Sequence, residues 1–183
     1  MGIIKKAGRE PDFESDNAKF GKLAEDDFIR NFNNNPRNKE KTLFDVRDKK
    51  EYQKIDVDFV IDNDGGTELP NIEEVLSNTE RYRKIEVKYN SRALDTGWIT
   101  FEVYSHKNAG WGLFTKSDLL YIVFTNPYGE IILERAWIYM DKWKEYAFNR
   151  ETKTRPNWIE NEKVFDILHE LGDMKNKGII YFI

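Results

Sequence analysis

The sequence predicts an α/β chain with a central mixed sheet flanked by helices, and three observations lead there. Segments 54–61, 83–89 and 98–103 alternate apolar and polar residues, the period of two that sends successive strand side chains to opposite faces. Phe20, Leu23, Ala24, Phe28 and Phe32 recur at helical spacing and give one amphipathic helix its apolar stripe. The run from Leu119 to Thr125 is continuously apolar, as suits a strand covered on both faces.

Taken in order, residues 1–14 are a loose lead-in with mixed charge, Gly8, Pro11 and no period. Ser15 is a suitable N-cap for the first helix, and Asn33-Asn34-Asn35-Pro36 ends it. Leu43–Val46 reads as a first strand and 54–62 as a second, followed by a turn at Asn63-Asp64-Gly65-Gly66. Residues 67–81 form a polar, acidic insertion with a short helix at Ile72 to Leu76. The third strand is 83–89; Asp95-Thr96-Gly97 turns the chain into a fourth at 98–103. The stretch Ser105 to Phe114 is broken by glycine, aromatic and slightly basic, and fits a short helix or a loop.

After the apolar strand, Asn126-Pro127-Tyr128-Gly129 makes a turn and Ile131–Leu133 pairs back as a hairpin. Trp137 to Phe148 reads as an amphipathic helix and Asn149 to Pro156 as a basic loop. Val164, Phe165, Leu168 and Leu171 mark a last helix closed by Gly172, and Ile179–Ile183 a terminal strand. With no repeat and no linker, the 183 residues read as a single domain, its core spanning about 15–135 and a C-terminal helical and strand extension covering 136–183.

Composition narrows the chemistry. Charged residues make up 34% and aromatics 14%, polar for a globular chain but far too aromatic for a disordered one. With no cysteine, disulfides and cysteine-bound zinc are excluded. With two histidines, His106 and His169, a histidine-rich metal centre is disfavoured, so any metal would be a hard cation held by oxygen. No apolar run approaches the roughly 20 residues that span a bilayer, and residues 1–6 lack a signal-peptide core. The expectation is a cytoplasmic protein with no membrane partner. A net charge of −4 does not favour a nucleic-acid partner, and does not exclude one, because a carboxylate-rich metal site itself removes positive charge.

The chemistry-bearing residues lie on the alternating segments. In 83–89, Glu86 and Lys88 share a face opposite Ile85, Val87 and Tyr89; in 54–61, Asp56 and Asp58 lie opposite Ile55, Val57, Phe59 and Ile61. If these two strands pair, three carboxylates and a lysine meet, the requirement for a divalent metal and an activated water. Glu25 borders the buried stripe of the first helix.

Helix with Glu25, then strands carrying Asp58 and Glu86-Val87-Lys88, is an order that resembles the PD-(D/E)XK nuclease superfamily of restriction endonucleases and Holliday junction resolvases. Thr96-Gly97-Trp98, Phe101-Glu102, Ala109-Gly110-Trp111 and Lys116-Ser117-Asp118 extend the likeness over roughly residues 15–126. The proline of the family's name is absent before Asp58, and the gap from Asp58 to Glu86 is long. The resemblance implies a restriction endonuclease-like three-layer core and a metal-binding hydrolase that cleaves phosphodiester bonds, in DNA rather than RNA. It implies Mg²⁺ or Mn²⁺ held by Asp58, Glu86 and the backbone carbonyl of Val87. Lys88 would orient the attacking water or offset transition-state charge, Glu25 would reach a second ion or its waters, and Lys107 and Trp111 would touch the nucleic acid.

Alternatives stay open. Asp56 and Asp62 rival Asp58, which is preferred for its depth in the apolar alternation, where an acid without a ligand costs most. Glu102 is either a further acid at the site or an exposed strand residue. Each acid alone reads more readily as a wet strand face, and Glu86 with Lys88 as a weak ion pair; it is their joint order on matching faces that favours a site. The competing functions are a catalytically inactive nucleic-acid-binding or structural module with a nuclease-like fold, and a carboxylate-pair glycosidase, against which Lys88 speaks. A homodimer would suit the cutting of two strands, but no residue requires it.

Overall fold

The computed structural model describes residues 16–105, 108–128, 131–149, 154–159 and 164–183. Ser15, His106 and Lys107 lie outside them. The elements are α1 (Asp16–Asn34), β1 (Thr42–Asp45), α2 (Lys50–Gln53), β2 (Phe59–Asp62), α3 (Ile72–Ser77), β3 (Tyr82–Asn90), α4 (Ala93–Thr96), β4 (Trp98–Ser105), β5 (Asn108–Ala109), α5 (Trp111–Phe114), β6 (Leu119–Thr125), β7 (Ile132–Tyr139), α6 (Met140–Ala147), β8 (Thr154–Ile159), β9 (Val164–Glu170), α7 (Leu171–Asn176) and β10 (Ile180–Phe182).

Six strands form a mixed sheet in the order β1-β2-β3-β6-β7-β10, in which β3 and β6 are parallel and every other pair antiparallel. The α/β class with a mixed sheet flanked by helices is therefore as the sequence predicts. A second, antiparallel sheet in the order β5-β4-β9-β8 departs from that expectation, because β4 leaves the central sheet to pair with β9.

The apolar stripe of α1 packs on one face of the six-stranded sheet, where Ala24 and Phe28 bury against Phe59, Ile85, Val87, Tyr121 and Val123. On the other face, Leu120, Ile122, Phe124 and Ile138 meet Ile99 and Phe101 of the second sheet and Trp143 of α6. A third cluster, Val46, Tyr52, Val57, Val60, Val75 and Tyr82, gives the acidic insertion its own core, with α3 capped by the Asn71 side chain accepting from the Glu74 N–H at 2.9 Å.

Four expectations are corrected. The strand foreseen at 54–62 begins only at Phe59, after α2 and a turn in which Asp56 takes φ +57°. Val57 packs in the third cluster while Phe59 packs under α1, so the two do not share a face as strict alternation requires. Trp137–Tyr139 is strand rather than helix, and α6 starts at Met140. Residues 164–170 are strand β9, with helix α7 only from Leu171 and Gly172 inside it. Thr154–Pro156, foreseen as loop, begins strand β8. Among the described residues no helix is long and apolar enough to cross a membrane.

His169 on β9 is fully buried among Phe101, Trp143 and Tyr146, and burial pushes its pKa down to about 4.

The sequence reading passed over Asp27. On α1 it is fully buried, accepting from Arg135 Nε at 2.7 Å, Arg135 Nη2 at 2.8 Å and the Tyr121 hydroxyl at 2.8 Å. Burial opposes its charge, but Arg135 and Tyr121 prevail and hold its carboxyl below the usual range. Asp27→Ala leaves both partners without their acceptor and is expected to cost about 3 kcal/mol in denaturant unfolding. A loss within about 0.5 kcal/mol, the range of plain surface changes, would show that the pair does not hold α1 to the sheet.

Candidate active site

The site forms where β2 ends. Phe59 is the last β2 residue opposite β3, facing Ile85, so Val87 has no β2 partner. Asp58 fills that place: its N–H donates to the Ile85 carbonyl at 2.9 Å, and its carboxylate Oδ2 accepts from the Val87 N–H at 2.8 Å. The N–H and C=O of one strand residue point to the same side. The Val87 carbonyl therefore also faces the gap that β2 leaves.

Asp56 reaches the same place by a different route. Its left-handed backbone is a conformation that non-glycine residues adopt at a cost, commonly at functional sites. The turn is held from outside: the Asp56 carbonyl accepts from Thr115 Oγ1 at 3.0 Å and Ser117 Oγ at 2.9 Å, and the Ile55 carbonyl accepts from the Lys116 N–H at 2.9 Å. Asp56 Oδ1 lies 3.7 Å from Lys88 Nζ, while Asp56 Oδ2 is buried with no hydrogen-bond partner.

Glu86 and Lys88 share the β3 face turned away from α1, and the Lys88 ammonium donates to Glu86 Oε1. The Trp111 ring covers that ammonium, its centroid 5.2 Å from Nζ, and leans on Phe101 at 5.4 Å. Trp111 is positioned by its neighbours. A Cβ on Gly110 would lie 2.6 Å from the Glu102 backbone carbon and oxygen, and one on Gly112 would lie 2.9 Å from the same oxygen. The glycines thus let α5 lie directly on β4 at Glu102. Gly110→Ala must push α5 off β4 and is expected to lower stability by about 2 kcal/mol and shift the near-ultraviolet tryptophan dichroism; an unchanged spectrum and melting temperature would refute this close packing.

Electrostatics follow from three buried acids facing one ammonium. Glu86 is driven up to about 9, first by burial and then by Asp58 and Asp56, against the pull of Lys88. Burial also raises Asp58, opposed by the Val87 N–H and Lys88, and raises Asp56, opposed by Lys88 and reinforced by Glu102. Burial pulls Lys88 down, but Glu86, Asp56 and Asp58 outweigh it and hold its pKa above the ordinary value.

Glu25 on α1 faces this group through Arg47, to which it is ion-paired. Arg47 also donates to Asp45 Oδ1 at 2.8 Å and lies 5.0 Å over the Phe59 ring. Burial raises the Glu25 pKa despite Arg47, and Asp58 adds to the rise. Arg47 was not foreseen; its only sequence signal is its place just after β1.

The structure thus brings Asp58, Glu86, Val87, Lys88 and Trp111 together, with Asp56 and Glu102 beside them and Glu25 across Arg47. It sets Asp62 apart. Asp62 is fully buried, bound by Arg81 Nε at 3.0 Å and Nη2 at 2.9 Å and by the N–H groups of Asp64 and Gly66 at 2.9 and 3.1 Å, so it anchors the 63–66 turn and is no rival to Asp58. Lys107 falls outside the described residues.

The donor set suits a hard divalent cation: buried carboxylates in excess of ammonium, one carboxylate oxygen without a donor, and a backbone carbonyl facing a gap. Among the described residues, no three acidic or histidine side chains already stand in the arrangement of a metal site. Glu86 is turned onto Lys88 and Asp58 onto the Val87 amide, so a cation would compete with these internal partners.

No family model, curated protein or solved structure matches this chain.

Proposed function

We propose that this chain is a divalent-metal-dependent endonuclease of the PD-(D/E)XK type, with a restriction endonuclease-like core, acting on DNA. The observation that carries the reading is the meeting of Asp58, Glu86 and Lys88 at the gap beside β3, two carboxylates and an ammonium delivered by neighbouring segments.

Asp58, Glu86 and the Val87 carbonyl would hold Mg²⁺ or Mn²⁺, with Asp56 as a further oxygen donor beside them. Bound there, the cation would polarise the scissile phosphate and make an attacking water more acidic. Lys88 is held by Asp56 on one side and capped by Trp111 on the other, which fixes its ammonium to orient the water and offset charge growing on the phosphate. In the metal-free chain Glu86, Asp56 and Asp58 hold the Lys88 pKa above its ordinary value, which favours an electrostatic role for its ammonium. Arg47 restrains Glu25, which would otherwise add a fourth acid to the group.

Nicking of supercoiled plasmid by the purified chain in Mg²⁺ or Mn²⁺, abolished by EDTA, tests this reading. The internal pairing of Glu86 with Lys88 and of Asp58 with the Val87 amide favours a second one, an inactive module that keeps the fold. Calorimetry separates the two: a saturable heat of Mn²⁺ binding supports the enzyme, and its absence together with no cleavage supports the module.

A further inference from the structure

At the other end of β3, away from Lys88, two clefts meet. One has a volume of about 640 Å³, floored by Phe28, Phe32, Tyr121 and Trp137 and edged by Lys41 and Arg83. It lies within the roughly 300–1,000 Å³ of small-molecule sites, and its aromatic floor with a polar edge is what such sites present. The second, of about 540 Å³, shares Arg83 and Leu119 with the first and carries Lys116 and Lys144. Arg83 and Lys88 lie five steps apart along β3, about 17 Å at the rise of a strand.

Charge is uneven here in a chain whose net charge is −4. Among the described residues no acidic side chain lines the first cleft, whose lining also includes Ile183, the last residue of the sequence. The second has Asp118 and Asp141. Asp118 is already engaged, its Oδ2 accepting from the Lys84 N–H at 2.8 Å and lying 3.0 Å from the buried Lys84 ammonium. Asp141 Oδ1 accepts from the Lys142 N–H at 2.8 Å. Among the described residues Lys41, Arg83 and Lys116 make no ion pair, and Lys144 donates only to the Thr115 carbonyl at 2.8 Å. The result is a line of cations leading out of an aromatic pocket.

Asn31 Nδ2 is spent on Asp27 and the Tyr121 hydroxyl, so Asn31 has its carbonyl oxygen to offer a ligand's N–H groups. Asn63 gives one N–H to the Glu80 carbonyl at 3.1 Å and keeps its oxygen and a second N–H, while Asn35 Oδ1 accepts from the Arg37 N–H and leaves its amide hydrogens as donors. A flat ring bearing amino hydrogens, attached to an anion, complements this lining.

We propose that the aromatic cleft and its basic extension form a nucleoside phosphate site, taking the base against Trp137, the half-buried ring of that floor, and the phosphate at Arg83 and Lys41. The chemistry is shared by a free nucleotide and by one unit of a single strand, where further phosphates would follow Lys116 and Lys144. The site stands apart from the acid cluster and does not rest on the nuclease reading.

Titration calorimetry on the full chain in EDTA tests it with adenosine, deoxyadenosine monophosphate and a short oligodeoxyadenylate as probes. The nucleotide is expected to bind, more tightly than adenosine, and to lose affinity as salt rises. Lys41→Ala with Arg83→Ala, both at the cleft edge and neither ion-paired, should weaken nucleotide binding at least about tenfold while leaving the melting temperature in place. A tighter oligonucleotide with a steeper salt dependence, weakened further by Lys116→Gln, identifies a strand as the ligand; equal affinities identify the free nucleotide. No binding of either phosphate probe, adenosine binding as tightly as its phosphate, or affinity untouched in the double variant would each overturn the proposal. Because EDTA removes the divalent cation, binding here is read whether or not the chain cleaves DNA.

Discussion

Lys88→Ala and Asp58→Asn are each expected to reduce plasmid nicking by a factor on the order of 10²–10³, the usual loss when one preorganised electrostatic group is removed. The two test different parts of the proposal. Lys88→Ala deletes the ammonium that would face the reacting phosphate and removes the partner of Glu86 and Asp56. Asp58→Asn keeps an oxygen that can accept from the Val87 N–H, so the gap beside β3 stays bridged while the charge that would hold a cation is gone. Its fold should survive and its Mn²⁺ affinity should not. Undiminished cleavage by both variants would end the nuclease reading. Loss of cleavage with unchanged Mn²⁺ affinity in Asp58→Asn would move the cation away from Asp58.

Glu86→Gln is expected to stabilise the metal-free protein at alkaline pH by about 2–4 kcal/mol, taking about 1.4 kcal/mol per pH unit and proton. The native Glu86 carboxyl holds its proton up to about 9, whereas the unfolded chain releases it near the ordinary value of 4.5. Below that ordinary value both states are protonated and the group has no effect on the balance. As pH rises toward 9, the unfolded state gains from ionisation while the native one cannot, and stability drains away. Glutamine abolishes this, so the two proteins should melt alike at pH 4 and diverge progressively to pH 9. Saturating Mn²⁺ should reverse the order, stabilising the wild type and not the variant, because bound cation replaces the missing counter-charge. Parallel melting curves across that range, with and without Mn²⁺, would show that Glu86 is neither strained nor a metal ligand.

Much of this was readable from local pattern. Residues 83–89 alternate and form β3, buried from Lys84 to Val87, and the apolar run 119–125 is a strand covered on both sides. Glu86, Lys88 and Asp58 stand out in the sequence because they hold the polar positions of alternating segments and follow the order of the resembled superfamily. What local spacing conceals is pairing over distance. Val164, Phe165, Leu168 and Leu171 mimic a helical stripe, yet the segment as far as Glu170 is a strand, because β4 offers it a long antiparallel partner. Trp137 and Ile138 look helical beside α6, but β6 and β10 claim them from both sides. The alternation from Ile55 to Ile61 mixes two surfaces, since the chain changes direction at Asp56. Asp27 was legible: it falls on the same side of α1 as Ala24 and Phe28, and a buried acid there calls for a cationic partner. That the partner is Arg135, more than one hundred residues away, was not.

The acid-bearing turn at Asp56 hangs from Thr115, Lys116 and Ser117, the connector that leads into β6, by three hydrogen bonds and not by the ladder of any sheet. The Thr115 and Ser117 side chains that hold it are buried, yet a segment outside the sheets is expected to open locally at a free energy below that of the strands it joins. On warming, the turn should swing free while both sheets persist, so thermal inactivation will precede the melting of secondary structure, and Asp56 will leave its neighbours before the core admits water.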